Sequence, residues 1–388
     1  MTWPMVKLKD CCTVVGGATP KRDVPEYWSS SDVPWITPKD VSNLSDSVLY
    51  DAPEYISNLG YNSCATYILP KGSVLLTSRA PIGNVAIAGR DMCTNQGFKS
   101  LVPSEKTDSG YLYHCISYFS QRLQALGNGA TFKEVSKKTV EGFQIPLPPL
   151  EEQKRIAAIL DKADAIRRKR QQAIQLTDDF LRSVFLDMFG DPVTNPKGWE
   201  PAKMGDLIEF AKDGPHVSPK YSESGIPFLS TRHVKPSGVV WEDLKYVSQE
   251  EADVHWKKCK PQKGDVLYTK GGTTGIACPV DFEKDFAVWV HVALVRPKPK
   301  LANHIWLTHM LNTKFCYQQS QRYTRGATNK DLGLKRMIDI EMYAPPIEEQ
   351  ERFVKVREKV LGLLSKFDDS SSDSLFNFLS QGAFAGKL

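Results

Sequence analysis

The chain has 388 residues, 41% of them hydrophobic and 24% charged, the balance of a globular protein long enough for two or three domains with cores of their own. No run approaches the 18 apolar residues of a membrane span and no apolar leader opens the chain, so the expectation is a cytoplasmic protein without a membrane segment. The net charge of +5 permits a nucleic-acid partner without requiring one.

Residues 1–147 read as a first globular unit. Short apolar runs at 33–36, 74–76 and 85–87 are bounded by Pro34, Gly72, Pro81 and Gly83, which marks strands. Over 109–126 the apolar residues Leu112, Ile116, Phe119 and Leu123 recur at helical spacing, so a helix follows and the unit is α+β. Eight cysteines (Cys11, Cys12, Cys64, Cys93, Cys115, Cys259, Cys278, Cys316) lack CxxC spacing and read as reduced thiols.

Pro146, Pro148 and Pro149 hold the chain extended, because proline fixes φ and biases its predecessor away from helix. From 151 to about 188 there is neither glycine nor proline. Ile156, Ile159, Ala163, Ile166, Ala173, Phe180 and Val184 form a heptad-like stripe there, predicting a helix of roughly 55 Å. Residues 148–189 are thus a spacer helix, with Glu151 and Glu152 at the positive end of its dipole. The basic run RRKR at 167–170 points all round such a helix, which suits phosphate or partner contact better than base contact.

Two glycines and two prolines in GDPVTNPKGW, 190–199, stop the helix and open a second unit, 190–344. Its landmarks echo the first unit in order. Trp199 and Asp206 answer Trp3 and Asp10, IPFLSTRHV at 226–234 answers VPWITPKDV at 33–41, and KGDVLYT at 263–269 answers KGSVLLT at 71–77. Near the unit ends GATNKDLG at 326–333 answers GATFKEVS at 129–136. PPIEEQER at 345–352 repeats PPLEEQKR at 148–155, with six of eight positions identical and an offset of 197 residues. A C-terminal helix, 345–388, should follow, with Phe353, Val356, Val360, Leu363 and Phe367 on one stripe. DDSSSDS at 368–374 marks a kink, a frayed turn or a short loop within it.

Each amphipathic helix needs a partner for its stripe. The two helices can pair antiparallel and hold the domains apart, or each can pack on its own domain. The chain lacks a GxxxxGK[ST] phosphate loop, HExxH, GxSxG and a strand-GxGxxG-helix unit, so no catalytic or nucleotide site is indicated. His304 and His309, five apart, share a helix face too poorly to ligate one metal. What recurs instead is basic and amide side chains in glycine-bearing loops, the chemistry of duplex readout, in which Arg reads guanine and Asn or Gln reads adenine. The candidates are Lys39, Ser78, Arg79, Asn95, Gln96, Lys99, Thr131 and Lys133 in the first unit. In the second they are Lys220, Thr231, Arg232, His233, Lys270, Thr273, Asn329 and Lys330.

PLPPLEEQKRIAAILDKAD at 146–164, FLDMFGDPVTNPKGW at 185–199, the two GAT turns and the PPIEEQ helix, in this order, resemble the specificity subunits of type I restriction-modification systems over essentially the whole chain. The resemblance implies two tandem α+β target recognition domains separated by two long helices that pair as an antiparallel coiled coil, an internal repeat with pseudo-twofold character. Each domain would read half of a bipartite, asymmetric sequence in double-stranded DNA. Two methyltransferase subunits would dock on the helices, for which Glu151, Glu152, Gln153, Arg155, Glu348, Glu349, Gln350 and Arg352 are the candidates. S-adenosylmethionine would belong to those subunits, and ATP and Mg to the restriction subunits, leaving this chain without cofactor, metal or catalytic residue. A related methylation or phage-defence assembly, a self-contained enzyme with an unfamiliar site, and a protein scaffold that never touches DNA are the competing readings.

Overall fold

A computed structural model describes residues 3–79, 81–129, 133–365 and 371–388, excepting the side chains of 371–373. The chain divides into two compact units, Met1–Gln171 with Asp369–Leu388, and Gln172–Asp368.

The first unit contains β1 (Met5–Lys7), β2 (Cys12–Gly16), β3 (Val33–Ile36), β4 (Val48–Leu49), β5 (Glu54–Ile56), β6 (Val74–Leu76), β7 (Val85–Ala88), β8 (Cys93–Thr94), β9 (Lys99–Pro103) and β10 (Gln144–Pro146). The second contains β11 (Glu200–Lys203), β12 (Ile208–Asp213), β13 (Tyr221–Ser222), β14 (Ile226–Leu229), β15 (Val234–Lys235), β16 (Gly238–Val239), β17 (Lys245–Val247), β18 (Val266–Thr269), β19 (Ala277–Pro279), β20 (Ala287–Val288), β21 (Val292–Pro297) and β22 (Glu341–Ala344). The sheets correspond strand for strand. Order β2-β9-β6-β7 in the first unit matches β12-β21-β18-β19 in the second, β5-β3-β8 matches β17-β14-β20, and the pair β1-β10 matches β11-β22. The first unit adds β4 beside β7, and the second adds β13 beside β17 and the hairpin β15-β16.

The central strands β6 and β18, VLL and VLYT, are buried throughout, which is why they read as continuous apolar runs rather than alternating ones. After each, the chain must reverse tightly. Gly83 and Gly275 do this at φ +92° and +91°, a region nearly closed to other residues, and their N–H groups bond the carbonyls of Thr77 and Thr269 at 3.0 and 2.9 Å.

The helix expected over 109–126 is two helices, Ser109–Tyr118 and Ser120–Ala125, and its counterparts are His304–Leu311 and Lys314–Tyr323. Asp108 caps the first by accepting from the N–H of Tyr111, and Asn303 caps its counterpart by accepting from Ile305.

The long helix Leu150–Phe189 runs 40 residues without a break. It ends at Gly190, φ +81°, whose N–H returns to the carbonyl of Leu186 at 2.8 Å, an αL cap. Its first half buries Ile156, Ala157 and Leu160 in the first unit's core, its second half buries Phe185 and Phe189 in the second unit's core, and Ala163 and Leu181, between these in sequence, are also buried. The expected stripe is corrected here: Ile166 is 59% and Phe180 52% exposed. A strict seven-residue repeat drifts by about 20° per heptad on a straight helix, and the two ends of this one answer to different domains.

The C-terminal helix is described as two segments, Ile347–Ser365 and Ser371–Phe384. Phe367 and residues 368–370 of DDSSSDS lie outside the described residues. In the N-terminal segment Phe353 is fully buried, but Leu363 is 59% exposed. Within the first unit the Arg155 guanidinium donates to the Leu388 carbonyl at 2.9 Å, and that of Arg167 stands 4.8 Å over the Phe376 ring. Within the second, the Phe185 and Phe353 rings meet at 5.3 Å and Asp178 lies in the field of Arg357. In both units one helix ascends in number as the other descends, so the pairing is antiparallel, and both helices also pack on a domain.

All eight cysteines are free thiols, and only Cys64 among them is not buried. No described helix is long and apolar enough to cross a membrane.

Candidate nucleic-acid interface

Strands β3 and β8 are parallel neighbours, so the segments that leave them, the short helix Pro38–Ser42 with its cap Thr37 and the loop 95–98, emerge at the same sheet end. Asn95 N–H to the Ile36 carbonyl at 3.0 Å joins those two segments. Ser78 N–H to the Gly97 carbonyl at 2.7 Å brings in the loop after β6, and Val135 N–H to the Ser78 carbonyl at 2.9 Å brings in the GATFKE turn. Lys39, Arg79, Asn95, Gln96, Lys99 and Lys133 therefore share one loop cluster, Lys39, Arg79, Gln96 and Lys133 being exposed. Thr131 lies outside the described residues.

The second unit repeats this scaffold bond for bond. Trp289 N–H meets the Leu229 carbonyl at 2.8 Å, Lys270 N–H the His291 carbonyl at 2.8 Å, and Leu332 N–H the Lys270 carbonyl at 2.7 Å. Thr231, Arg232, Thr273, Asn329 and Lys330 gather around it. The correspondence aligns Asn95 with Trp289, Gly97 with His291 and Ser78 with Lys270.

Four candidates do not stand at this surface. Ser78 is 1% exposed, and His233, 2% exposed, accepts at Nδ1 from the Ser230 N–H at 2.9 Å. Burial and the neighbouring Arg232 push the His233 imidazole below its ordinary pKa. Lys270 is 5% exposed, its ammonium 3.4 Å from Asp213 and 3.2 Å from Asp331. Burial alone would raise the Asp213 carboxyl, but the hydrogen bond from Lys258 and the charges of Lys258, Lys270 and His216 hold it low. A lysine so enclosed sets the loop rather than reaching a base. Lys220 precedes β13, whose Tyr221 pairs with Val247 opposite Ile226, the first residue of β14. The loop cluster follows Leu229, the last, so Lys220 sits at the other end of that sheet.

Trp289 and His291 stand in the candidate cluster and were missed by sequence reading. The signal was present: DMCTNQGFKSLVP at 91–103 and DFAVWVHVALVRP at 285–297 align without a gap from aspartate to proline. Glu134 and Asp331, sixth in each GAT turn, were also missed. The Arg79 Nε donates to Glu134 at 2.9 Å and the Lys99 ammonium approaches it at 3.4 Å.

At the helix starts Gln153 and Gln350, expected on a docking surface, are 1% and 0% exposed. Each amide nitrogen donates to two carbonyls, Lys106 and Pro148 at 2.9 and 2.8 Å, or Leu301 and Pro345 at the same distances. Each amide oxygen accepts one N–H, from Asp108 or Asn303, at 2.9 and 2.8 Å. These glutamines pin each helix to the preceding domain. Glu151, Glu348, Arg155 and Arg352 remain exposed, with Glu152 and Glu349 partly so, and the pairs Arg155–Glu152 and Arg352–Glu349 close at 2.7 and 2.8 Å. Of the basic run, Arg167 and Arg168 clamp Asp164, and Arg168 also donates to the Tyr113 hydroxyl at 3.0 Å. Among the described residues no group of three His, Cys, Asp or Glu is placed to hold a metal.

The type I restriction modification DNA specificity domain matches residues 1–176 and again 196–366. The MjaIX type I restriction enzyme specificity subunit of Methanocaldococcus jannaschii is 32% identical over 371 residues, covering 90% of this chain and 85% of the relative. The EcoBI specificity subunit of Escherichia coli is 24% identical over 323 residues, 74% of this chain and 67% of the relative. The crystal structure of a type I restriction-modification S subunit from M. genitalium shares the fold at a TM-score of 0.60 and 13% identity, over 99% of this chain and 96% of that one. With two α+β domains, each presenting one loop cluster on a common backbone scaffold, the chain belongs to the type I restriction-modification DNA specificity family.

Proposed function

We propose that each domain reads one half of a bipartite, asymmetric duplex sequence with its loop cluster, and that the two helix starts dock two methyltransferase subunits of one kind. The observation that carries this reading is the pair of loop clusters: one backbone hydrogen-bond pattern, but different side chains at matching places, Asn95 against Trp289 and Gly97 against His291. A shared frame with unlike faces is what two unlike half-sites require. The helix starts behave oppositely, keeping both the buried glutamine and the outward Glu–Arg pair, as two copies of one partner require. In this division of labour the chain supplies sequence recognition, and the methyltransferase subunits bring S-adenosylmethionine and the chemistry.

The purified chain alone should methylate nothing, and with its methyltransferase subunit it should direct adenine methylation to one bipartite sequence, read by methylation-aware sequencing. Methylation by the chain alone, or methylation without sequence preference in the assembly, overturns the proposal.

A further inference from the structure

Glu134 and Asp331 occupy the same place in two otherwise divergent loop clusters. Glu134 exchanges both backbone hydrogen bonds with Asn128, at 2.9 and 3.0 Å, and Asp331 does so with Arg325, at 2.8 and 2.9 Å. Both carboxylates lie among cations, though an anion at a phosphate-binding surface repels the ligand. The cation that meets each one comes from a different position. In the first unit Lys99 supplies it, 3.4 Å from Glu134 and 3.5 Å from the Ser78 hydroxyl. In the second unit the place of Lys99 is taken by Ala293 and that of Ser78 by Lys270, whose ammonium reaches Asp331 at 3.2 Å. The lysine has moved across the pair of strands while the acid has stayed. Each carboxylate also meets an arginine, Arg79 at 2.9 Å in the first unit and Arg336 at 3.6 Å in the second. Glu134 is 35% and Asp331 49% exposed at the side chain, whereas Lys99 is 15% and Lys270, also held by Asp213 at 3.4 Å, 6% exposed, so the cations within reach of a phosphate are Arg79 and Arg336, 47% and 40% exposed.

We propose that Glu134 and Asp331 are specificity-determining positioning residues that neutralise the exposed arginines beside them, Arg79 and Arg336, so that phosphate alone attaches weakly and the loops engage firmly only where base contacts are also made. The inference rests on the DNA-reading function proposed above. Its balance is electrostatic: sequence-independent affinity scales with the cations free to displace counterions, whereas base contacts do not. Removing one carboxylate while keeping its shape frees about one cation's worth of phosphate affinity.

The test uses the full chain assembled with its methyltransferase subunits, carrying Glu134→Gln or Asp331→Asn. A 30-base-pair duplex of unrelated sequence and one carrying the methylated site are titrated over a range of salt. Each variant should bind the unrelated duplex several-fold more tightly at low salt, with a log–log salt slope steeper by about 1, and should show a smaller ratio of site to non-site affinity. Glu134→Asp, which restores the charge, should recover the parent ratio. Glu105→Gln and Glu283→Gln, which remove the same net charge from exposed positions elsewhere in the two units, should leave it unchanged. The inference is overturned if the variants keep the parent slope and ratio, if they lose site affinity without gaining non-site affinity, or if both lose the fold, which would assign the carboxylates to stability. Parent protein that binds no duplex refutes the function itself, a result distinct from all of these.

Discussion

Gln153 and Gln350 each satisfy three backbone groups in a space closed to water. Truncation leaves those groups buried and unpaired, at about 1–3 kcal/mol for each group not rescued by water. Gln153→Ala should therefore cost about 3 kcal/mol of unfolding free energy, read by denaturant titration, while Glu151→Ala, at a side chain 86% exposed, should change it by less than about 0.5 kcal/mol. His309 gives a pH signature. Burial, then the charges of Arg357 and Arg182, lowers its imidazole to about 4, against about 6.5 for an unfolded histidine. The unfolded chain thus binds the proton first as pH falls, and stability is lost between pH 6.5 and 4, by on the order of 3 kcal/mol over the window. His309→Phe keeps a ring between Phe185 and Phe353 and should flatten that loss in melts at pH 7 and pH 4.5, and an unchanged pH dependence would show that His309 does not cause it. What the sequence hid at this scale was burial. An amide in a helix's first turn reads as surface, and only the fold shows that the loops before the helix close over it.

Element identity was far more legible than element facing. The strands announced themselves by short apolar runs between turn residues, and the long helix by its freedom from glycine and proline. Which face it buries was not legible, because 100° per residue and a seven-residue repeat diverge over 40 residues and two domains share its length. The facing now makes a prediction. Phe185→Ala removes a ring packed on Phe189, His309 and Phe353 and should cost about 3–5 kcal/mol. Phe180→Ala, five residues earlier and 52% exposed, should cost less than about 1 kcal/mol. Equal costs in denaturant titration would restore the heptad stripe. The loop clusters were half legible: repetition located Arg79, Lys99 and Arg232, but Trp289 and His291, which stand where the first unit has Asn95 and Gly97, are reached only by aligning 285–297 with 91–103.

For the whole molecule, the spacer reading predicts that four residues of helical sequence inserted after Ala165 will lengthen the gap between half-sites and leave both half-sites unaltered, as mapped by methylation-aware sequencing. An unchanged gap removes the helix from that role. The two-unit division has a further cause in the way each unit is finished. The indole of Trp199 donates to the Phe189 carbonyl at the end of the long helix, at 2.9 Å, and that of Trp3 donates to the Ala383 carbonyl near the end of the last helix, at 3.0 Å. Each domain is thus closed by the start of the helix that follows it and by the end of the other helix.

At both helix starts the buried glutamine hydrogen-bonds to peptide groups: Lys106, Pro148 and Asp108 in one unit, Leu301, Pro345 and Asn303 in the other. Those hydrogen bonds, made to main chain, are indifferent to the side chains of the residues that accept or donate them. Crossing over between genes within the repeated PPLEEQ and PPIEEQ stretches would therefore keep these hydrogen bonds, while Ile156, Ala157 and Leu160 after one stretch and Phe353 after the other would still have to fit the core of the new domain.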